Sequence, residues 1–182
     1  MFFSRLFRLQ KQKITQRTAT NVHRAAVAII VREDNHICMI RRPIKAEDYW
    51  SGHMAFPGGR EEEADDNLLE TAIRETQEEI GLTLSIELCK GQLEDLRHPK
   101  LQVSAFVFEA PQNLEMTLDP NEVADVYWLD LQDFLNPKYR RTRKSTWNAQ
   151  EVDVPLLQIG TADVWGISLL FIERLLAIVK EE

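Results

Sequence analysis

Runs of consecutive apolar residues of strand length occur at 24–31 (RAAVAIIV), 36–40 and 103–109 (VSAFVFE). Their β-branched and aromatic content, bounded by turn residues, predicts buried strands. The tetrapeptide Arg32-Glu33-Asp34-Asn35 between the first two predicts a hairpin. Shorter strands are predicted at 52–56, 84–88 and 125–129 (DVYWL), and a short helix or turn at 131–135. From 68 to 80 the period changes to that of a helix. With Leu69 set at zero and about 100° per residue, Ala72, Ile73, Thr76 and Ile80 gather on one face. Gly81 suits the left-handed position just past the helix end. A second helical pattern spans 163–179, interrupted by Glu173 and Arg174. Strands mixed with two main helices predict an α+β chain: a mixed sheet with helices on both faces.

Length and composition narrow this. The 182 residues suit one domain, and 44% hydrophobic with 28% charged residues is ordinary for a globular protein. The expected division is a basic segment over 1–23, as a tail or a packed helix, and a single domain over 24–182. Residues 1–24 hold Arg5, Arg8, Lys11, Lys13, Arg17 and Arg24 and no acid. No apolar run reaches the roughly 18–20 residues of a membrane span. Cys38 and Cys89 lie in apolar runs and read as buried thiols of a reducing compartment, so a cytoplasmic location is expected.

The net charge of −7 is unevenly placed. Between Gly59 and Leu82 stand nine acids (Glu61, Glu62, Glu63, Asp65, Asp66, Glu70, Glu75, Glu78 and Glu79) against two arginines, which accounts for the whole excess. A general nucleic-acid surface is not expected. Glu75, Glu78 and Glu79, at i, i+3 and i+4, share one side of the helix, roughly 130° from its apolar face. Arg74 has the spacing to pair with Glu70 and Glu78. Acidic stripes are often only solvated faces. This density of carboxylates beside the Gly58-Gly59 turn suits a hard divalent cation such as Mg²⁺, which takes oxygen ligands together with substrate phosphates.

Gly58-Gly59, an acidic loop and then Arg74-Glu75-Thr76-Gln77-Glu78-Glu79-Ile80-Gly81 resemble the signature of the Nudix hydrolases. The loop between the glycines and Arg74 is one residue longer than the usual pattern, which leaves the acid of the first half open between Asp65 and Asp66. The resemblance implies an α/β/α sandwich over about 25–179. It also implies Mg²⁺- or Mn²⁺-dependent hydrolysis of a small-molecule diphosphate, by a monomer or homodimer. Carried over, Glu75, Glu78 and Glu79 are the metal ligands, the Gly58 carbonyl is an added ligand, and Arg74 orients the glutamates. The general base stays open among Glu75, Glu79 and a loop acid, for which Glu122 is the candidate.

Outside that motif, Trp50-Ser51-Gly52-His53-Met54-Ala55-Phe56-Pro57-Gly58-Gly59, Asn121-Glu122-Val123 and Val164-Trp165-Gly166-Ile167 resemble the coenzyme-A-cleaving branch. Arg41-Arg42-Pro43, leading to Glu47-Asp48-Tyr49, departs from that branch. Coenzyme A or its thioesters are therefore the first substrate expectation. A nucleotide sugar, a dinucleotide polyphosphate, NADH or a nucleoside triphosphate is the alternative, and a binding module without turnover is the remaining one. Arg41 and Arg42 are candidates for gripping a phosphate. Arg140 and Arg141, in the basic run 138–144, are candidates for holding a second phosphate against the plainer reading of a solvated loop. His53 and His98 read as structural histidines, and Trp128 and Trp165 as core residues.

Overall fold

In the computed structural model, residues 22–46, 51–147 and 150–180 are described. The basic segment is thereby almost wholly outside the described residues, as are Glu47, Asp48, Tyr49 and Trp50.

The long strand β1 (His23–Val31) runs through the middle of the main sheet. On one side it pairs antiparallel with β2 (His36–Arg41), which pairs in turn with the two-residue β3 (Met54–Ala55) and with β8 (Asp125–Asp130). On the other it pairs parallel with β7 (Leu101–Glu109) over nine residues. The short β4 (Gly58–Arg60) lies antiparallel to β1, while β5 (Cys89–Gln92) and β6 (Leu96–His98) lie antiparallel to β7. One parallel pairing among antiparallel ones makes the sheet mixed.

Both faces are covered, which is why these strands read as continuous apolar runs. Along β1, Ala26, Ala28 and Ile30 face α1 (Leu68–Ile80). Ile29 and Val31 face the opposite core, built by α2 (Gly166–Lys180) and a small second sheet. The same alternation divides Phe106 and Phe108 from Val103, Ala105 and Val107 on β7. The result is a three-layer arrangement, in agreement with the expected sandwich. No helix among the described residues is long and apolar enough to cross a membrane.

Three segments differ from the sequence reading. After α1, Leu82 and Leu84 are buried beside the helix, so 84–88 continues as a loop and a 3-10 turn (Ile86–Leu88) before β5 begins. Cys89, at the start of β5, is only half-buried, whereas Cys38 is fully buried.

The basic run 138–144 is not a loop. A 3-10 turn (Pro137–Tyr139) leads into β9 (Arg140–Trp147), which pairs with β10 (Gln150–Ile159), and β10 with β11 (Ala162–Trp165). The outer half of this hairpin is exposed, so the apolar alternation that marks a half-buried strand is missing. Cross-strand charge pairing takes its place: Lys144 stands opposite Asp153 and pairs with it at 3.0 Å.

The last helix starts later than its apolar pattern does. Ala162 and Val164 are buried from a strand, and Gly166, at φ 60°, turns the chain into α2. Val164 and Trp165 therefore belong to β11 and do not open the helix.

Candidate active site

Helix α1 is sharply bounded. The Asn67 side chain accepts from the Leu69 and Glu70 amides, and Gly81 closes the helix at φ 69°. The three glutamates then part company according to their angle from the apolar face. At about 100° per residue, Glu79 lies roughly 80° from Leu69, Glu75 roughly 120° and Glu78 roughly 180°. Glu79 is accordingly 2% exposed. The side chains of Glu75 and Glu78 are 13% and 57% exposed.

The Glu79 carboxylate accepts a hydrogen bond from the Gly58 amide at 2.8 Å. Burial pushes its pKa up to about 8; the neighbouring Glu75 and Glu122 charges add to the rise, while the Gly58 amide and Arg42 oppose it. Burial also raises Glu75, against the pull of Arg74. Beneath both, the Cys38 thiol is pushed up to about 12, mainly by burial and further by Glu79.

The glycine turn matters sterically. A Cβ on Gly58, whose φ is 149°, would meet the Ala26 carbonyl oxygen at 2.2 Å. One on Gly59 would meet the Glu75 carboxyl carbon at 2.4 Å. At Gly58 the obstacle is backbone, so only glycine lets β4 lie against β1 there, while at Gly59 a side chain would displace the Glu75 carboxylate.

Glu122 arrives from a loop 43 residues beyond Glu79, yet α1 itself holds that loop. The Thr117 amide donates to the Ile80 carbonyl at 2.9 Å and the Asp119 amide to the Glu79 carbonyl at 3.0 Å. The terminal carbonyls of α1, which lack helical partners, thereby dock the loop. The Glu122 and Val123 amides fold back onto the Asp119 carbonyl, and Val123 is buried. One carboxylate oxygen from each of Glu75, Glu79 and Glu122 then lies within 4.8 Å of the others. Glu78 is outside this trio. Thr117 and Asp119 are positioning residues that the sequence reading passed over; the turn-forming Asp119-Pro120-Asn121 is their only local signal.

Arg74 joins the loop to the helix. Its Nε and Nη2 donate to the two oxygens of Asp65, both at 2.9 Å, and its Nη1 donates to Glu75 at 3.1 Å and to Glu78 at 2.9 Å. Asp65 is buried, also accepts from Thr71 and the Glu62 amide, and is held down at a pKa of about 2 chiefly by the Arg74 hydrogen bonds. The choice left open between Asp65 and Asp66 falls to Asp65. Glu70 does not pair with Arg74, because its carboxylate accepts from the Asp66 amide.

The four substrate candidates divide. Consecutive residues at the end of a strand point to opposite faces. Arg42 acts electrostatically on Glu79 and so faces the carboxylates. Arg41 goes the other way, stacking over Tyr127 and donating to the Thr161 carbonyl. Arg140 lies 3.7 Å from Glu173, and Arg141 donates to the Lys138 and Arg140 carbonyls. Both belong to the second sheet. His98 is exposed at the end of β6, and His53 meets the Trp165 ring edge-on at 4.7 Å. Trp128 and Trp165 are half-buried, each with an arginine over its face.

Carboxylate oxygens brought together around a buried glutamate form a hard, all-oxygen donor set, which fits a divalent metal ion. The like charges that oppose ionisation of Glu79 are those a cation would offset.

The NUDIX domain model matches residues 22–149. Among curated proteins, an uncharacterised Nudix hydrolase NudL of Yersinia enterocolitica is 28% identical over 183 residues, covering 96% of this chain and 89% of its own. An uncharacterised Schizosaccharomyces pombe protein is 36% identical over 112 residues, 57% of this chain; the match spans only 34% of that relative's length. Among solved structures, a MutT/nudix family protein from Enterococcus faecalis superposes with a TM-score of 0.61 at 16% identity, over 93% of this chain and 66% of that one.

Proposed function

This chain belongs to the Nudix hydrolase family, and from that premise we propose that it hydrolyses the diphosphate bond of a nucleoside diphosphate-linked compound, with Mg²⁺ or Mn²⁺ bound at Glu75, Glu79 and Glu122. The observation that carries the reading is the convergence of those three carboxylates, from a helix and a distant loop, within 4.8 Å. A divalent ion there supplies neutralisation of phosphate charge and acidification of water.

The protein's own groups do the rest. The Gly58 amide holds one Glu79 oxygen and leaves the other to face the site. The Gly58 carbonyl, at the same turn, is the proposed added ligand. Arg74 fixes Glu75 and keeps Glu78 at hand as an outer carboxylate. Arg42 faces the site as the cation for the diphosphate oxygens. Glu122, the exposed member of the trio, takes the proton of the attacking water. The water oxygen bonds to one phosphorus, the bond from that phosphorus to the bridging oxygen breaks, and two phosphate-bearing products leave. The geometry demands positioning and charge balance, as phosphoryl transfer generally does.

Coenzyme A and its thioesters are the proposed substrates. Support comes from the resemblance of the segments at Trp50–Gly59, Asn121–Val123 and Val164–Ile167 to the coenzyme-A-cleaving branch. A metal-supplemented panel of coenzyme A, NADH, ADP-ribose, diadenosine polyphosphates and nucleoside triphosphates tests this. Coenzyme A or a thioester is expected to rank first in kcat/KM. A rank far below another member overturns the substrate, and no turnover of any member overturns the reaction.

A further inference from the structure

The molecule has a concavity that the chemistry above does not use. It is a cleft of about 240 Å³ lined by His53, Arg143, Lys144, Ser145, Thr146 and Trp165. Strand β9 contributes four of these residues and β11 contributes Trp165, which lies beyond the stretch matched by the family model. The Arg143 guanidinium sits 4.2 Å from the centre of the Trp165 ring. Stacking covers the face of a guanidinium and leaves its N–H donors pointing outward in the plane.

Charge compensation differs along the strand. Lys144 is paired with Asp153 and Glu151, Arg140 with Glu173, and Arg141 donates to backbone carbonyls. Among the described residues no carboxylate lies within ion-pair distance of Arg143. Arg143 is therefore a cation of this cleft without an ion-pair partner among the described residues, on the same face of β9 as Ser145, in a protein whose overall charge is −7.

The cleft also connects to the carboxylates. The Arg42 amide donates to the His53 carbonyl at 3.0 Å, while the Arg42 side chain acts on Glu79. From His53 the chain passes through β3 to Gly58, whose amide holds Glu79. Five residues span at most about 18 Å, so an elongated ligand can reach from one place to the other. Arg42, bonded through its amide to His53, and Arg143, which lines the cleft with His53, are the cations nearest this connection in the chain.

We propose that this cleft binds a terminal phosphomonoester of the substrate, distinct from the diphosphate that is cleaved, with Arg143 as its specificity-determining residue. The inference rests on the diphosphatase reading, and its test separates the two. Coenzyme A and 3′-dephospho-coenzyme A differ only in such a phosphate. Wild-type kcat/KM is expected to favour coenzyme A by about tenfold or more, as for a charge-assisted contact. In Arg143→Gln that ratio is expected to fall to about one, and in Arg143→Lys to lie between.

Binding of adenosine 3′,5′-bisphosphate and of 5′-AMP, measured by calorimetry on the whole protein, gives a readout independent of turnover. The bisphosphate is expected to bind about tenfold or more tightly, with the preference lost in Arg143→Gln. A binding preference that behaves so without coenzyme A turnover keeps the cleft and removes the substrate. Equal wild-type values for both members of each pair, or a preference that survives in a folded Arg143→Gln protein, overturns the cleft.

Discussion

Two regions of this molecule are dense in charge, one acidic and one basic, and they hold that charge in different ways. The acidic loop and α1 hold their charges in a partly buried, cross-linked array: Asp65 is 6% exposed, Glu79 is 2% exposed, and one arginine bridges Asp65, Glu75 and Glu78. The basic strand β9 holds its charges in the open, with Lys144 and Arg140 both more than half exposed and paired at the surface. Charge in water is inexpensive and weakly coupled, whereas charge under a sheet must be satisfied by specific partners. The first region is therefore rigidly specified. The second is tolerant except where Arg143 stacks on Trp165.

The comparison breaks most visibly at Glu79. Glu79→Gln is expected to lower kcat by at least about a hundredfold while the circular dichroism spectrum is retained, and to weaken divalent-metal binding measured by calorimetry. Glu78→Gln, outside the trio, is expected to lose less of both. Equal losses in the two variants would return Glu78 to the inner set, and near-wild-type turnover in Glu79→Gln would remove the site. Next comes Asp65→Asn, which leaves Arg74 without its bidentate partner. A loss of about 2 kcal/mol or more in urea unfolding is expected, against little for Asp66→Asn. Similar values for the two would undo the assignment of Asp65.

A smaller effect sharpens the contrast through pH. In the metal-free protein Glu79 keeps its proton up to about 8, while the unfolded chain loses it near 4.5. The folded state then binds more protons, so this group makes stability fall as pH rises from about 4.5 to about 8. Asp65 acts in the opposite sense: its contribution is present above the unfolded value of 3.8 and is lost as pH falls through about 2. Metal-free Glu79→Gln is expected to lack the decline between pH 5 and 8, by about 1 kcal/mol or more at pH 8. Saturating Mg²⁺ is expected to abolish the decline in wild type. A wild-type profile flat between pH 5 and 8 without metal would show that the Glu79 carboxyl is not buried as described. The smallest change belongs to the open region: Lys144→Ala is expected to shift stability by no more than about 1 kcal/mol. A larger loss would make β9 as tightly specified as the acidic array.

Legibility followed physical locality. Helix α1, its apolar face and its glycine cap could be read because neighbours three and four apart share a face whatever the surroundings. The strands 24–31, 36–40 and 103–109 could be read because burial on both faces leaves an unbroken apolar run. Strand β9 could not, since exposed strands carry no such mark and its partner, Asp153, lies beyond the hairpin turn. Trp165 shows a related failure: buried Ala162 and Val164 have strand spacing, but the helical pattern read from 163 onward absorbed Val164 and Trp165.

By itself the amino-acid sequence determined the α+β class, the acidic helix with its flanking glycines, and the family to which these belong. All three rest on interactions within a turn or a strand, where spacing along the chain equals spacing in the molecule. Only the tertiary structure decided which acids meet. Glu79 is driven under the sheet by its angle to the core, and Glu122 is delivered by a loop captured on the last carbonyls of α1. Asp65 is separated from Asp66 by which one reaches Thr71 and Arg74, and Arg42 from Arg41 by the opposite directions that consecutive residues take where β2 ends. These choices depend on contacts between residues far apart in the chain, and no local pattern records them.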